Sequence, residues 1–140
     1  MSSIFTRIIQ REIPAAIVYE DDLVIAFLDI APIHPGHTLV VPKQEVASLT
    51  DLPPDTGAHL FRIAQKIANA IRSSSLPCDG INLWLNDGAA AGQEIFHLHL
   101  HVIPRIAGDG FGWHRPPHLR TSPTPQELAS HAAAIRQALV

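Results

Sequence analysis

The chain has 140 residues, enough for one domain to bury a core without staples. Apolar residues make up 46% and charged residues 16%, an ordinary globular balance. The formal net charge of −3 excludes the broadly basic face that duplex nucleic acid requires, though a local anion site needs only a few donors. Cys78 is the single cysteine, so neither an intrachain disulfide nor a Cys-based zinc site can be assembled. With MSSIFTRIIQRE too polar for a signal peptide and no run long enough to span a bilayer, the expectation is a cytoplasmic protein without membrane contact.

Ser3 precedes Ile4, Phe5, Ile8 and Ile9, a helix-spaced set that stops before Pro14. Two strands are predicted at AIVYED (16–21) and LVIAFLDI (23–30), with Asp21 and Asp22 at the turn. The turn-rich APIHPGH leads into a third strand, HTLVVPK (37–43), which Pro42 ends or places near an edge. Leu60, Ile63, Ala64, Ile67, Ala68 and Ile71 share one face of a helix over 58–72. GINLWLN (80–86) alternates as a strand, NDGAAAGQE (86–94) is a loop of small residues, and HLHLHVIPR (97–105) reads as the last strand. An irregular tail (about 106–123) follows. Thr124-Pro125-Gln126-Glu127 is a capping box that opens a closing helix (about 125–139). The expected architecture is α+β: one domain over 1–140, an antiparallel sheet of about five strands, helices packed to one side.

On a strand, His97, His99 and His101 would share one face and Leu98, Leu100 and Val102 the other, with neighbouring histidines roughly 6.5–7 Å apart. Such a row can bring two imidazoles to a zinc ion, given a further ligand such as His114 or His118. It can instead set a nucleophilic imidazole between two polar partners, where it attacks phosphorus. The loop 86–93 favours the second use. Its small residues let a backbone approach a ligand, and the amides Asn86 and Gln93 donate to oxygens without adding charge. Glu94, beside them, is a candidate proton relay.

HLHLHVI, preceded by AGQEIF and followed by PR, resembles the signature of the histidine triad (HIT) family. IFTRIIQREIPA (4–15), FLDIAPIHPGHTLVVPK (27–43), the helix and NLWLNDG (82–88) are similar to the family in the same order, so the resemblance covers roughly residues 3–105. It implies a nucleotide hydrolase or transferase, usually a homodimer, acting on the α-phosphate of a purine nucleotide. By position, His99 matches the nucleophile that forms a nucleotidyl-histidine, His101 the flanking phosphate contact, His97 the first triad member, and His37 the histidine that supports them. Asn86 and Gln93 match phosphate ligands, Asp29 the ribose-holding carboxylate, and Phe5, Ile8, Ile13, Phe27 and Ile30 the base pocket. Phosphoramidates and dinucleoside polyphosphates are the implied substrates. No cofactor or metal ligand is required, with Mg²⁺ the ion that would accompany a polyphosphate. Glu94 departs from the serine of phosphoramidate-cleaving branches, so the leaving group stays open. A non-catalytic nucleotide-binding module and a zinc-dependent hydrolase are the alternatives.

Overall fold

Asp21 builds the first hairpin of the fold: its Oδ1 accepts the backbone N–H groups of Leu23 and Val24, turning Ile17–Glu20 (β1) into Val24–Leu28 (β2). The computed structural model describes residues 1–139; Val140, the end of the expected domain, lies outside them. Thr38–Pro42 (β3), Gly80–Leu85 (β4) and Leu100–Arg105 (β5) complete a five-stranded sheet in the order β1-β2-β3-β5-β4. Every neighbouring pair is antiparallel, so the fold is α+β as expected.

Alternation sorts the strand residues onto two faces. Val24, Ala26, Val40, Leu100 and Val102 pack with Leu60, Ile63, Ala64, Ile67 and Ile71 of the long helix Pro54–Ser73 (α2). Prolines occupy its cap and first turn, where no intrahelical N–H is needed, so it begins four residues before the expected start at 58. The intervening residues Ile25, Phe27, Leu39 and Val41 pack with Phe5 and Ile8 of the short helix Ile4–Ile9 (α1). Ser3 caps α1, its hydroxyl accepting the Thr6 N–H at 3.0 Å.

The last strand differs from the expected 97–105. Only His101 of the three histidines lies on β5; His97 sits in a bend and His99 in the irregular backbone before it. The register explains this. β3 meets β5 at Val40↔Leu100, so two residues further along Leu98 would stand against Pro42. Proline has no N–H for the ladder, and its carbonyl is already engaged by the His97 ring at 2.7 Å. Leu98 instead donates its N–H to the Val46 carbonyl and joins Val46 and Leu52 in a small core.

His34 and His59, outside the triad, are both partnered: His34 Nε2 lies 2.8 Å from Asp109 Oδ2, and His59 Nε2 lies 2.5 Å from Asp21 Oδ2. The second contact ties α2 to the first hairpin. Gly36 holds φ +96°, and an added Cβ would stand 2.9 Å from Leu76 Cδ1. Gly36→Ala is expected to cost about 1–2 kcal/mol, mostly from the left-handed backbone because the leucine tip can swing aside. Thermal unfolding should show a midpoint several degrees lower, and an unchanged midpoint would contradict this assignment.

Residues Met1–Asp109 form one compact unit and the chain from Gly110 onward another. In the second, Pro125–Ala138 (α3) follows the predicted capping box, Thr124 Oγ1 accepting the Glu127 N–H and Glu127 Oε1 the Thr124 N–H, each at 3.1 Å. A short 3₁₀ turn spans Pro117–Leu119, and an open cleft there is lined by Trp113, His114, Arg115 and Arg120. No helix among the described residues is long and apolar enough to cross a membrane.

Candidate functional site

Four imidazoles meet where β3 and β5 pair. His101 stands opposite Leu39 on β3 and Trp84 on β4. His37 immediately precedes β3, and its Nε2 is 2.9 Å from His101 Nδ1. The His99 and His101 ring centroids are 4.9 Å apart. His37, His97 and His99 are buried and His101 is half-buried, so the cluster is largely screened from solvent.

The hydrogen bonds fix which nitrogen of each neutral ring carries the proton. The backbone N–H of Ile33 donates to His37 Nδ1 at 3.1 Å, which leaves the His37 proton on Nε2. That proton is donated to His101 Nδ1, so His101 carries its own proton on Nε2. His99 Nδ1 lies 2.8 Å from the His97 carbonyl; a carbonyl only accepts, so Nδ1 is protonated and the lone pair of His99 resides on Nε2. His97 Nε2 likewise donates to the Pro42 carbonyl at 2.7 Å, leaving its Nδ1 to accept the Ser3 hydroxyl at 2.6 Å. The result is one imidazole with an outward lone pair beside another with an outward N–H.

Burial keeps all four rings neutral. It depresses the pKa of His37, His97 and His99, with Asp29 opposing the shift at His37 and His99. His101 is lowered to about 4, first by burial and then by the neighbouring His99 and His37. A neutral His99 keeps its lone pair at ordinary pH.

Asp29 follows β2. Its Oδ1 accepts the Ala31 N–H at 2.9 Å, and its Oδ2 is 3.6 Å from His37 Nε2. Asp29, His37 and His101 offer ligand atoms within 4.8 Å of one another, which raises the question of a metal. The donor set fits one poorly. The Ile33 N–H points at His37 Nδ1, so coordination through Nε2 would require either an imidazolate or the loss of that backbone bond.

The expected phosphate amides are occupied in a different way. Gln93 is buried, its Oε1 accepting the Gly88 N–H and its Nε2 donating to the carbonyls of Ala47 and Ile95. Asn86 accepts the Trp84 indole N–H at 2.5 Å and donates to the Gly92 carbonyl at 3.3 Å. Both amides therefore hold the loop shut around its 3₁₀ turn, Ala89–Ala91. The small-residue signal that located the loop could not distinguish ligand donors from loop ties. Glu94 is exposed at the loop's end.

Of the expected base pocket, Phe5, Ile8 and Phe27 are core residues, with Phe5 edge-on to Phe27 at 5.4 Å and to His99 at 5.0 Å. Ile13 is half-buried beside them, whereas Ile30 is almost wholly exposed. His97 has both nitrogens engaged and no exposed surface, so it bears on a ligand only through His99. The residues that hold it there, Ser3, Thr6 and Glu45, carried no sequence signal beyond Ser3 as a helix cap.

The chain is similar to known proteins along most of its length. The HIT domain model matches residues 10–108. The chain is 46% identical to "Protein hit" of Bacillus subtilis over 110 residues, 78% of this chain and 75% of that protein. It is 42% identical over 106 residues to the adenylylsulfatase HINT3 of Arabidopsis thaliana, covering 76% of this chain and 53% of that one. The crystal structure of a HIT family protein from Bacillus anthracis superposes with a TM-score of 0.90 at 40% identity, covering 99% of this chain and 98% of that chain. With a family model matched over most of its length and this degree of identity to its members, the chain belongs to the HIT family.

Proposed function

We propose that the protein cleaves nucleotides at the α-phosphate through a covalent nucleotidyl-histidine. The observation that carries this reading is the tautomer of His99: with Nδ1–H bonded to the His97 carbonyl, Nε2 presents its lone pair without prior loss of a proton. Attack forms an Nε2–P bond as the bond from phosphorus to the leaving group breaks. The leaving amine or phosphate takes a proton from solvent or from the exposed Glu94. The Nε2–H of His101 donates to a phosphate oxygen as charge develops there, and loop 86–93, shaped by Asn86 and Gln93, flanks it. Water then breaks the N–P bond, releasing the nucleoside monophosphate and restoring His99. Asp29 has an oxygen available for the ribose hydroxyls, and Ile30 beside it, almost wholly exposed, offers an apolar side chain to a purine, with the buried Phe5, Ile8 and Phe27 backing the site from the core.

Phosphoramidates, adenylyl sulfate-like anhydrides and dinucleoside polyphosphates share the α-phosphorus this chemistry attacks and differ in the leaving group, and the adenylylsulfatase relative supports an adenylyl substrate. No metal enters the covalent step in this scheme; Mg²⁺ would accompany a polyphosphate chain. The outer strands β1 and β4 each pair on one side only and expose Ile17, Val18 and Leu83, free edges that a homodimer would cover. The cysteine content supports a cytoplasmic setting. The direct test is a quench in alkaline detergent, which spares a histidine N–P bond, of enzyme mixed with α-³²P-labelled adenosine phosphoramidate or diadenosine tetraphosphate. Acid-labile label on a peptide containing His99, formed within one turnover and insensitive to chelator, is the expected result. Tight nucleotide binding with neither label nor turnover would overturn the reading in favour of a binding module.

A further inference from the structure

His97 cannot touch a substrate, yet its carbonyl sets the tautomer of the nucleophile. What holds His97 itself is a polar cluster at the start of α1. The Ser3 hydroxyl reaches His97 Nδ1 at 2.6 Å while its oxygen caps the helix at the Thr6 N–H. Glu45, just beyond β3, accepts the Ser3 N–H at 2.8 Å and the Thr6 hydroxyl at 2.5 Å through one oxygen, Oε1. Phe5, on the same helix, lies edge-on to both His97 and His99. The N-terminal helix thus bears on the reactive pair by hydroxyl and by ring.

We propose that Ser3, held by Glu45, is a positioning residue for the nucleophile. The direction of the Ser3 bond is what matters. His97 Nε2 must donate to Pro42, so Nδ1 must accept, and Ser3 must donate. A donor at Nδ1 favours the uncharged ring and holds it with its plane and carbonyl fixed. The charged or titratable groups that act on His97 are Glu45 and His99. Once the hydroxyl is gone, Glu45 would draw a second proton onto Nδ1 and place a cation beside His99. The carbonyl that orients His99 would then shift with the ring.

This rests on His99 being the nucleophile, and the experiment separates the two claims. Ser3→Asp keeps an oxygen that caps a helix as well as serine does, but an ionised carboxylate has no proton to donate. The expected result is a kcat about ten- to a hundredfold lower, with KM changed by no more than about twofold. In ¹⁵N spectra the His97 Nδ1 signal should move from that of a hydrogen-bonded acceptor to that of a protonated nitrogen. Ser3→Thr, which restores both hydroxyl and cap, should recover kcat and the wild-type spectrum. Wild-type kcat in Ser3→Asp, with Nδ1 still unprotonated, would overturn the proposal. So would a wild-type spectrum with the His97 proton on Nδ1, a result that needs no variant to fold. A wild-type protein that forms no nucleotidyl-histidine would instead defeat the proposed reaction, while the tautomer measurement would still decide the role of Ser3.

Discussion

His99→Ala is expected to lower kcat by at least about 10⁴-fold, a loss of about 5 kcal/mol of transition-state stabilisation. The variant lacks the atom that forms the covalent bond, and no neighbouring imidazole can substitute. His101 offers an N–H rather than a lone pair, because its Nδ1 is bonded to His37. His37 has its Nδ1 against the Ile33 N–H, and His97 is enclosed with both nitrogens engaged. Nucleotide affinity should change by less than about tenfold, since Ile30 and Asp29 remain. His101→Ala removes one charge-stabilising donor and should cost only about 10²–10³-fold. Single-turnover rates of AMP release, with binding followed separately by calorimetry, check both. A His99→Ala enzyme retaining more than about one part in a hundred of its rate would show that the imidazole is not the nucleophile.

Sequence and structure agree where one physical rule acts alone. The α2 stripe, the hairpin at Asp21 and the Thr124 box each rest on local periodicity or local hydrogen bonding, and each lies where expected. The histidine row was harder. Strand alternation placed its leucines correctly in the core, but the strand itself stops at Leu100, because Pro42 on the facing strand cannot continue the ladder. That depends on register between segments about sixty residues apart, which no local pattern encodes. The tautomers were illegible for the same reason. The Ile33 N–H, the Pro42 carbonyl and the Ser3 hydroxyl reach the histidines from three other parts of the chain. Gln93 and Asn86 show the converse, since an amide beside glycines serves a ligand or a loop equally well. Their residue types marked the place without assigning the bonds.

The same burial that keeps the nucleophile neutral should make the fold acid-sensitive, and this is the second large effect. In the unfolded chain the histidines titrate near 6.5. In the native protein His37, His97, His99 and His101 are all lowered, so above pH 6.5 both states are unprotonated and these groups contribute their full stability. Below 6.5 the unfolded chain gains protons that the native site refuses, and stability falls until each native pKa is reached. For His101 alone, lowered to about 4, the loss over that window is of order 3 kcal/mol. The other three act in the same direction, against a total that for a domain is typically about 5–15 kcal/mol. Asp21, held well below the usual carboxylate range chiefly by its bonds to His59 and Tyr19 against the opposing effect of burial, adds a further loss only as pH drops below about 4. Urea unfolding midpoints should therefore be level between pH 8 and 7 and fall steeply from about 6.5 to 4.5, with a shallower fall in His101→Gln. A midpoint unchanged from pH 7 to 5 would contradict the burial of these rings. Because burial lowers the His99 pKa, protonation of the nucleophile is displaced to more acid pH than in a free imidazole, and loss of the folded protein also enters the acid limb of kcat. Refolding at pH 7.5 should then restore activity lost by brief exposure to pH 5.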